Sequence, residues 1–167
     1  MARRTLSAAL GAVLLLVGLA GCGAVVPGQS TCGDLSTRGD THDRATVEIR
    51  APNGTVRATV DAMVADSPRE RCVGLSDTAT LGPNDGMVFV FAETATRTFV
   101  MRGMAFPLDM IFVAGNGTIT TIHHAPVEEP PLTPYEGRAK WVLEVPRGWA
   151  DRHGVRVGDR LNVTYRG

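Results

Sequence analysis

The stretch TVEIRAPNGTVRATVDAMV, residues 46–64, decides the fold class. Its two halves alternate apolar and polar side chains, which is typical of β-strands that bury one face. Asn53-Gly54 separates the halves, and this dipeptide favours the tight turn of a β-hairpin because both residues tolerate positive φ. The stretch therefore predicts two antiparallel strands over 46–50 and 56–64.

The rest of the chain adds strands and two short helical segments. Continuous apolar runs predict strands that are covered on both faces, and alternating runs predict half-exposed strands. Ser67 and Glu70 form a capping box around Pro68, which predicts a short helix that ends at Gly74. We expect a mainly β domain, either a jelly-roll-like sandwich or a partly closed barrel with one or two short helices. The further strands are predicted over 87–91, 110–114, 118–123, 140–145 and 160–165, and a second helical turn over 149–153. Asn116-Gly117 predicts a second hairpin between the 110–114 and 118–123 strands.

Length and charge exclude several classes of protein. The chain has 167 residues, which suits one domain. Lys and Arg number 17 and Asp and Glu also number 17, so the formal net charge is zero. A nucleic-acid binder needs a basic face, and no nucleic-acid partner is expected here. We expect a monomer whose small-molecule or protein partner the sequence does not specify.

The N-terminus has the pattern of an export signal. Arg3 and Arg4 precede a short apolar run over 8–20, which is too short to span a membrane as a helix. The run ends in Leu-Ala-Gly-Cys22, which resembles the lipobox of prokaryotic lipoproteins. The resemblance implies cleavage before Cys22 and a lipid on its thiol, which would anchor the protein to the outer face of the cell membrane. An ordinary signal peptide with an incidental cysteine is the alternative, and the export route stays open.

This pattern divides the chain into three parts. Residues 1–22 form the predicted signal, and residues 23–45, rich in Gly, Ser, Thr, Asp and Pro, form a flexible tether. Residues 46–167 form the β-rich domain. With Cys22 lipidated, Cys32 and Cys72 remain in an oxidising compartment, and we expect a disulfide between them. The alternative is one buried and one exposed thiol.

Six segments occur in an order that is similar to a known family. In this order and spacing they resemble the domain of unknown function 192 family, DUF192, also called uncharacterised protein family 0127. The resemblance covers about residues 46–163 and implies a compact, mainly β domain that is often exported and has no established biochemical activity. The segments are RCVGL (71–75), GMVFVF (86–91), FVMR (99–102), PLDMIFV (107–113), VLEVPRG (142–148) and GVRVGD (154–159).

One stretch departs from the family pattern. The usual Trp-Met-Lys-Asn-Thr is here Val-Met-Arg-Gly-Met over residues 100–104. The cation survives as Arg102, but the indole, the amide and the hydroxyl are absent. This departure argues against a function that depends on the asparagine side chain. Ser76 stands where the family usually has methionine.

Two carboxyl groups stand among apolar neighbours. Asp109 and Glu144 are costly to bury unless they are paired or hydrogen-bonded, and Arg71 and Arg102 are the candidate cations. With Met101 these residues form either a polar pocket for a small ligand or a structural charge set that holds a helix and a loop onto the sheet. The structural interpretation is preferred because buried charges are usually paired.

Other candidate sites are weaker. Three methionines and two histidines could bind a soft metal such as Cu(I), but adjacent strand histidines point to opposite faces, and methionines also fill cores that are poor in aromatic residues. We therefore expect no metal, no cofactor and no catalytic residue. The five candidate metal ligands are Met101, Met104, Met110, His123 and His124.

The glycosylation acceptor pattern occurs at Asn53, Asn116 and Asn162. Turn chemistry is the preferred explanation for these asparagines.

The sequence thus predicts an exported, membrane-anchored lipoprotein that acts as a binding or envelope-support module and is more consistent with a non-enzyme. The alternative is a hydrolytic enzyme or a soft-metal delivery protein that uses a polar pocket near Asp109 and Glu144.

Overall fold

The computed structural model describes residues 42–166, which form seven strands and two short helices. The predicted mainly β class is confirmed. The predicted signal and the tether up to residue 41 lie outside the described residues, and β1 begins inside the predicted tether, at Arg44. The elements are β1 (Arg44–Arg50), β2 (Val56–Ala65), α1 (Pro68–Val73), β3 (Asp85–Phe99), β4 (Leu108–Val113), β5 (Ile119–Ala125), β6 (Tyr135–Pro146), α2 (Trp149–Arg152) and β7 (Arg160–Arg166).

All seven strands belong to one mixed sheet, in the order β5-β4-β6-β3-β2-β1-β7. Both predicted hairpins are present, because β1 pairs antiparallel with β2 and β4 pairs antiparallel with β5. The pair of β2 and β3 is parallel, and the connection between them carries α1. The sheet does not close completely, but a bridge between Thr118 and Arg160 links its two edges. Of the two expected architectures, the structure has the partly closed one.

The sheet buries apolar side chains on both faces. The inner face carries Val88, Ile111 and Leu143 and is covered at one end by Trp149. The outer face carries a second cluster that includes Met87, Phe89, Met110, Phe112 and Val142. Strands β3, β4 and β6 contribute to both clusters, which explains why two of them contain continuous apolar runs in the sequence.

Strand β3 is longer than the predicted 87–91 run. It continues to Phe99 past an irregularity between Val90 and Ala95, and its second half pairs with the first half of β6. No residue of this part of β3 is fully buried, and polar residues are interspersed there, so it lacks the apolar run that marks the first half.

The capping box of α1 is present as predicted. The Ser67 hydroxyl accepts a hydrogen bond from the Glu70 N–H at 3.2 Å, and the Glu70 carboxylate accepts one from the Ser67 N–H at 2.9 Å. Pro68 is the first helical residue, and Gly74, with φ of 54°, ends the helix. The sequence therefore sets both ends of α1 locally.

Helix α2 obtains its N-terminal cap from a different strand. Its N-cap residue is Gly148, which has no side chain to accept a hydrogen bond. The buried carboxylate of Asp109 on β4 accepts one from the Gly148 N–H at 3.1 Å and one from the Ala150 N–H at 2.9 Å. The ring of His124 lies 2.6 Å from the same carboxylate. Asp109 is therefore held by these groups and not by Arg71 or Arg102, which the charge-set interpretation expected as its partners.

Within residues 42–166, no helix is long and apolar enough to cross a membrane.

We expect Asp109→Ala to lower the free energy of unfolding by about 3–5 kcal/mol, since each buried N–H that loses its acceptor costs about 1–3 kcal/mol. Asp151→Ala, which removes an exposed carboxylate from the same helix, should cost less than about 1 kcal/mol. Urea denaturation of both variants measures the difference. A loss below about 1 kcal/mol for Asp109→Ala would show that α2 does not depend on this cap.

Candidate functional site

A cavity of about 250 Å³ opens on the outer face of the sheet, between α1, β3, the end of β6 and the loop that follows β3. Helix α1 forms one wall, and the phenylalanines of β3 form another. The lining residues are Arg71, Cys72, Val73, Gly74, Leu75, Phe89, Phe91, Thr98, Phe99, Val100, Arg102, Met104 and Glu144.

Glu144 is the buried acid of this cavity. Alternation along β6 places it on the outer face, where its register partners are Met87 and Met110. The residue is 4% exposed. Among residues 42–166 its carboxyl group has no hydrogen-bond or salt-bridge partner, and burial raises its pKa to about 8. Glu144 therefore carries a proton at neutral pH and can donate a hydrogen bond into the cavity.

Arg71 brings a positive charge to the same cavity. Its Nη1 donates to the backbone carbonyl of Asp66 and, at 3.0 Å, to that of Val90. The guanidinium also lies 5.3 Å from the centre of the Phe91 ring. These contacts fix the side chain and leave its charge in place, because two carbonyl oxygens and an aromatic ring carry no net charge.

The loop after β3 forms the mouth of the cavity. Val100, Arg102 and Met104 line it, whereas Met101 points into the core of the outer face and is fully buried. Arg102 Nη2 donates to the backbone carbonyl of Cys72 at 3.4 Å, which connects the loop to α1. Three of the four residues at which this chain departs from the Trp-Met-Lys-Asn-Thr pattern thus line the cavity mouth.

The structure separates the two predicted carboxyl groups. Asp109 is paired in register with Val145, the residue after Glu144, so the two acids point to opposite faces of the sheet. The candidate set therefore divides: Arg71, Arg102 and Glu144 line the cavity, Met101 packs beside it, and Asp109 caps α2. The acid–base pair that a hydrolytic mechanism would need is not assembled from Asp109 and Glu144.

The two histidines also face opposite ways, as predicted. The ring of His123 lies between Phe112 and Tyr135, with 5.5 Å between centres on each side. His124 contacts Asp109 on the other face. In the described part of the chain, no group of three or more His, Cys, Asp or Glu residues lies close enough to hold a metal ion.

The asparagines of the glycosylation pattern are exposed. The side-chain oxygen of Asn53 accepts a hydrogen bond from the Thr55 N–H, and that of Asn116 accepts one from the Thr118 N–H. Both therefore act in turns, as the turn interpretation expected. Asn162 lies on β7.

Two of the three cysteines, Cys22 and Cys32, lie outside the described residues. Cys72 lies on α1 and lines the cavity. The lipid attachment at Cys22 and the disulfide between Cys32 and Cys72 remain predictions.

Sequence reasoning missed the aromatic wall of the cavity. The rings of Phe89 and Phe99 pack edge to face with 4.9 Å between centres, and Phe91 lies beyond Phe99 at 6.5 Å. The alternating phenylalanines of GMVFVF were a signal, since residues two apart share a face of a strand. Phe99 could not be added to this wall without knowing that β3 continues past Val90.

Comparisons with known proteins identify relatives of this domain. A family model described as DUF192, Uncharacterized ACR, matches residues 49–163. A crystal structure from Sinorhizobium meliloti 1021, described as a "putative transcription regulator", is 32% identical, with a TM-score of 0.69 over 75% of this chain and 98% of that chain. A protein of unknown function from Novosphingobium aromaticivorans DSM 12444 is 26% identical, with a TM-score of 0.65 over 81% of this chain and 99% of that chain. None of the curated proteins matches this chain.

The raised pKa of Glu144 predicts a pH-dependent stability. From an ordinary pKa of 4.5 up to about 8, the unfolded chain loses the Glu144 proton and the folded chain keeps it. Raising the pH therefore favours unfolding, by about 1.4 kcal/mol per pH unit. We expect Glu144→Gln to become progressively more stable than the wild type across this pH range, as measured by urea denaturation.

Glu129→Gln is the control, since this carboxylate is exposed. The difference in the free energy of unfolding between Glu129→Gln and the wild type should stay constant with pH. A constant difference for Glu144→Gln as well would show that Glu144 is ionised in the folded protein.

Proposed function

The chain belongs to the DUF192 family of uncharacterised proteins, and from that premise we propose that it is an exported, lipid-anchored binding module whose cavity at Glu144 holds a small molecule. The observation that carries this proposal is a buried carboxyl group that lines an open cavity and has no partner among the described residues.

Such a group is costly for a purely structural role. A buried carboxyl group without a hydrogen bond lowers stability, and an apolar residue of similar size would pack beside Met87 and Met110 without that cost. Polar groups that weaken a fold are typical of binding sites, because the ligand supplies the missing partner. The cavity thus favours binding over envelope support.

The geometry gives less support to the alternatives. A hydrolytic mechanism through Asp109 and Glu144 lacks the pair, because Asp109 accepts hydrogen bonds from α2 on the other face of the sheet. The description of the Sinorhizobium relative as a transcription regulator suggests nucleic-acid binding, but a chain with equal numbers of basic and acidic residues lacks the net positive charge typical of that function.

The proposed location depends on the sequence. A basic start, a short apolar run and Leu-Ala-Gly-Cys22 support export and lipid attachment, and the polar tether would hold the domain away from the membrane. In an oxidising compartment, a disulfide between Cys32 and Cys72 would connect the tether to α1.

We expect Cys22→Ala to abolish lipid attachment, so that the protein is either released from the membrane or left with its signal uncleaved. Cell fractionation and intact-mass measurement distinguish these results. Cys32→Ala is the matched control, because it removes a thiol without changing the Leu-Ala-Gly-Cys motif, and it should stay in the membrane fraction. A processed Cys22→Ala protein that stays in the membrane would contradict the anchoring proposal.

The cavity is tested with a variant that fills its mouth. We expect small molecules that raise the melting temperature of the purified protein to lose this effect in Val100→Trp, because the indole occupies the space that they need. A ligand at 100 times its Kd stabilises the folded state by about 2.7 kcal/mol, which is readily measured in a thermal-shift screen.

Val127→Trp is the control, since Val127 is exposed and does not line the cavity. Its response to ligands should match the wild type. A broad screen that yields no ligand, or ligands to which Val100→Trp responds as the wild type does, would contradict the binding proposal.

A further inference from the structure

We infer that the ligand of this cavity is a compact organic carboxylate with an apolar body, held by the Arg71 guanidinium and by a hydrogen bond to the Glu144 carboxyl group. This inference rests on the proposed binding function and specifies the chemical class of the ligand.

The charge of the cavity selects against cations. Only Arg71, Arg102 and Glu144 among its lining residues belong to the charged types. Glu144 is neutral at neutral pH, because burial raises its pKa to about 8. Arg71 supplies a positive charge, since its contacts are backbone carbonyls and an aromatic ring and do not cancel that charge. A ligand carboxylate would supply the opposite charge, and guanidinium binds that group in a favourable planar geometry.

Glu144 supplies the second polar contact. A protonated carboxyl group donates one hydrogen bond, and a carboxylate is the strongest acceptor that a small organic ligand offers to it. The strand partners of Glu144, Met87 and Met110, have no hydrogen-bond donor in their side chains. The Glu144 proton can therefore be satisfied by a ligand that enters the cavity.

The walls and the size of the cavity determine the rest of the ligand. Phe89, Phe91 and Phe99 present ring surfaces, and Leu75 adds an aliphatic one. These surfaces match an aromatic or branched apolar body. The volume of about 250 Å³ lies just below the roughly 300–1,000 Å³ of typical ligand pockets, so the molecule is compact.

The contact with Glu144 makes binding depend on pH. The other charged groups of the cavity lining are Arg71 on α1 and Arg102 on the loop, while the strands beside Glu144 contribute methionines. Above pH 8 Glu144 loses its proton, which removes the donor and places a negative charge against the ligand carboxylate. Affinity should then fall, whereas Glu144→Gln keeps a donor that does not ionise in this range.

Three probes that share a benzene ring and differ in charge test the inference: benzoate, benzamide and benzylamine. Affinities for the purified full-length protein in detergent are measured by calorimetry at pH 6.5 and pH 9. At pH 6.5 we expect benzoate to bind at least tenfold more tightly than benzamide and benzylamine. Between pH 6.5 and pH 9 benzoate should lose about tenfold in affinity for the wild type and less than twofold for Glu144→Gln, because a group with a pKa of about 8 is about nine-tenths ionised at pH 9.

Arg71→Gln should weaken benzoate at least tenfold and leave benzamide nearly unchanged, a difference that a general loss of folding would not produce. Benzoate that binds Arg71→Gln as it binds the wild type, or binds the wild type equally at both pH values, would overturn the inference.

The two proposals fail in different ways. If benzamide or benzylamine binds better than benzoate and Val100→Trp blocks it, the cavity binds ligands but not anions, so the inference is wrong and the proposed function stands. If neither these probes nor a broad screen gives a ligand that Val100→Trp blocks, the proposed function itself is wrong.

Discussion

The hydrogen bonds between the Asp109 carboxylate and the backbone of α2 are the constraint on which the rest of the structure depends. They tie the start of β4 to the chain that leaves β6, next to the bond from the Arg147 N–H to the Pro107 carbonyl. The same contact positions Trp149, which is fully buried in the inner cluster. A helix of four residues contributes little stability of its own, so its position depends on this cap and on the packing of Trp149.

The register of β4 against β6 then gives the two buried acids, Asp109 and Glu144, different surroundings. Asp109 lies beside Val145, and Met110 lies beside Glu144, so the alternation of side chains sends the two carboxyl groups to different faces. On the inner face the carboxylate is surrounded by N–H donors. On the outer face Glu144 meets thioethers and aromatic rings and stays protonated at neutral pH. The sheet therefore uses one acid for its own assembly, and the other has no hydrogen-bond or salt-bridge partner among residues 42–166.

Local patterns predicted the parts of the fold that local chemistry determines. The capping box at Ser67 and Glu70 identified α1, and the two Asn-Gly turns identified the hairpins. Such local patterns do not predict which distant segments pair or in which register. Asp109 and Glu144 were singled out correctly as buried acids, but their partners depend on the register of β4 against β6, which a one-residue shift would reverse. The aromatic wall likewise depends on the full length of β3.

The position of β7 has a consequence for how the protein is made. This last strand pairs with the first, from Arg44 against Arg166 to Arg50 against Arg160, so the two ends of the described chain lie side by side. During synthesis β1 has only its hairpin partner until β7 has emerged, and pairing of such distant segments is slow. Until then β1 presents one row of unpaired backbone N–H and C=O groups, which makes the incomplete sheet prone to pairing with other chains.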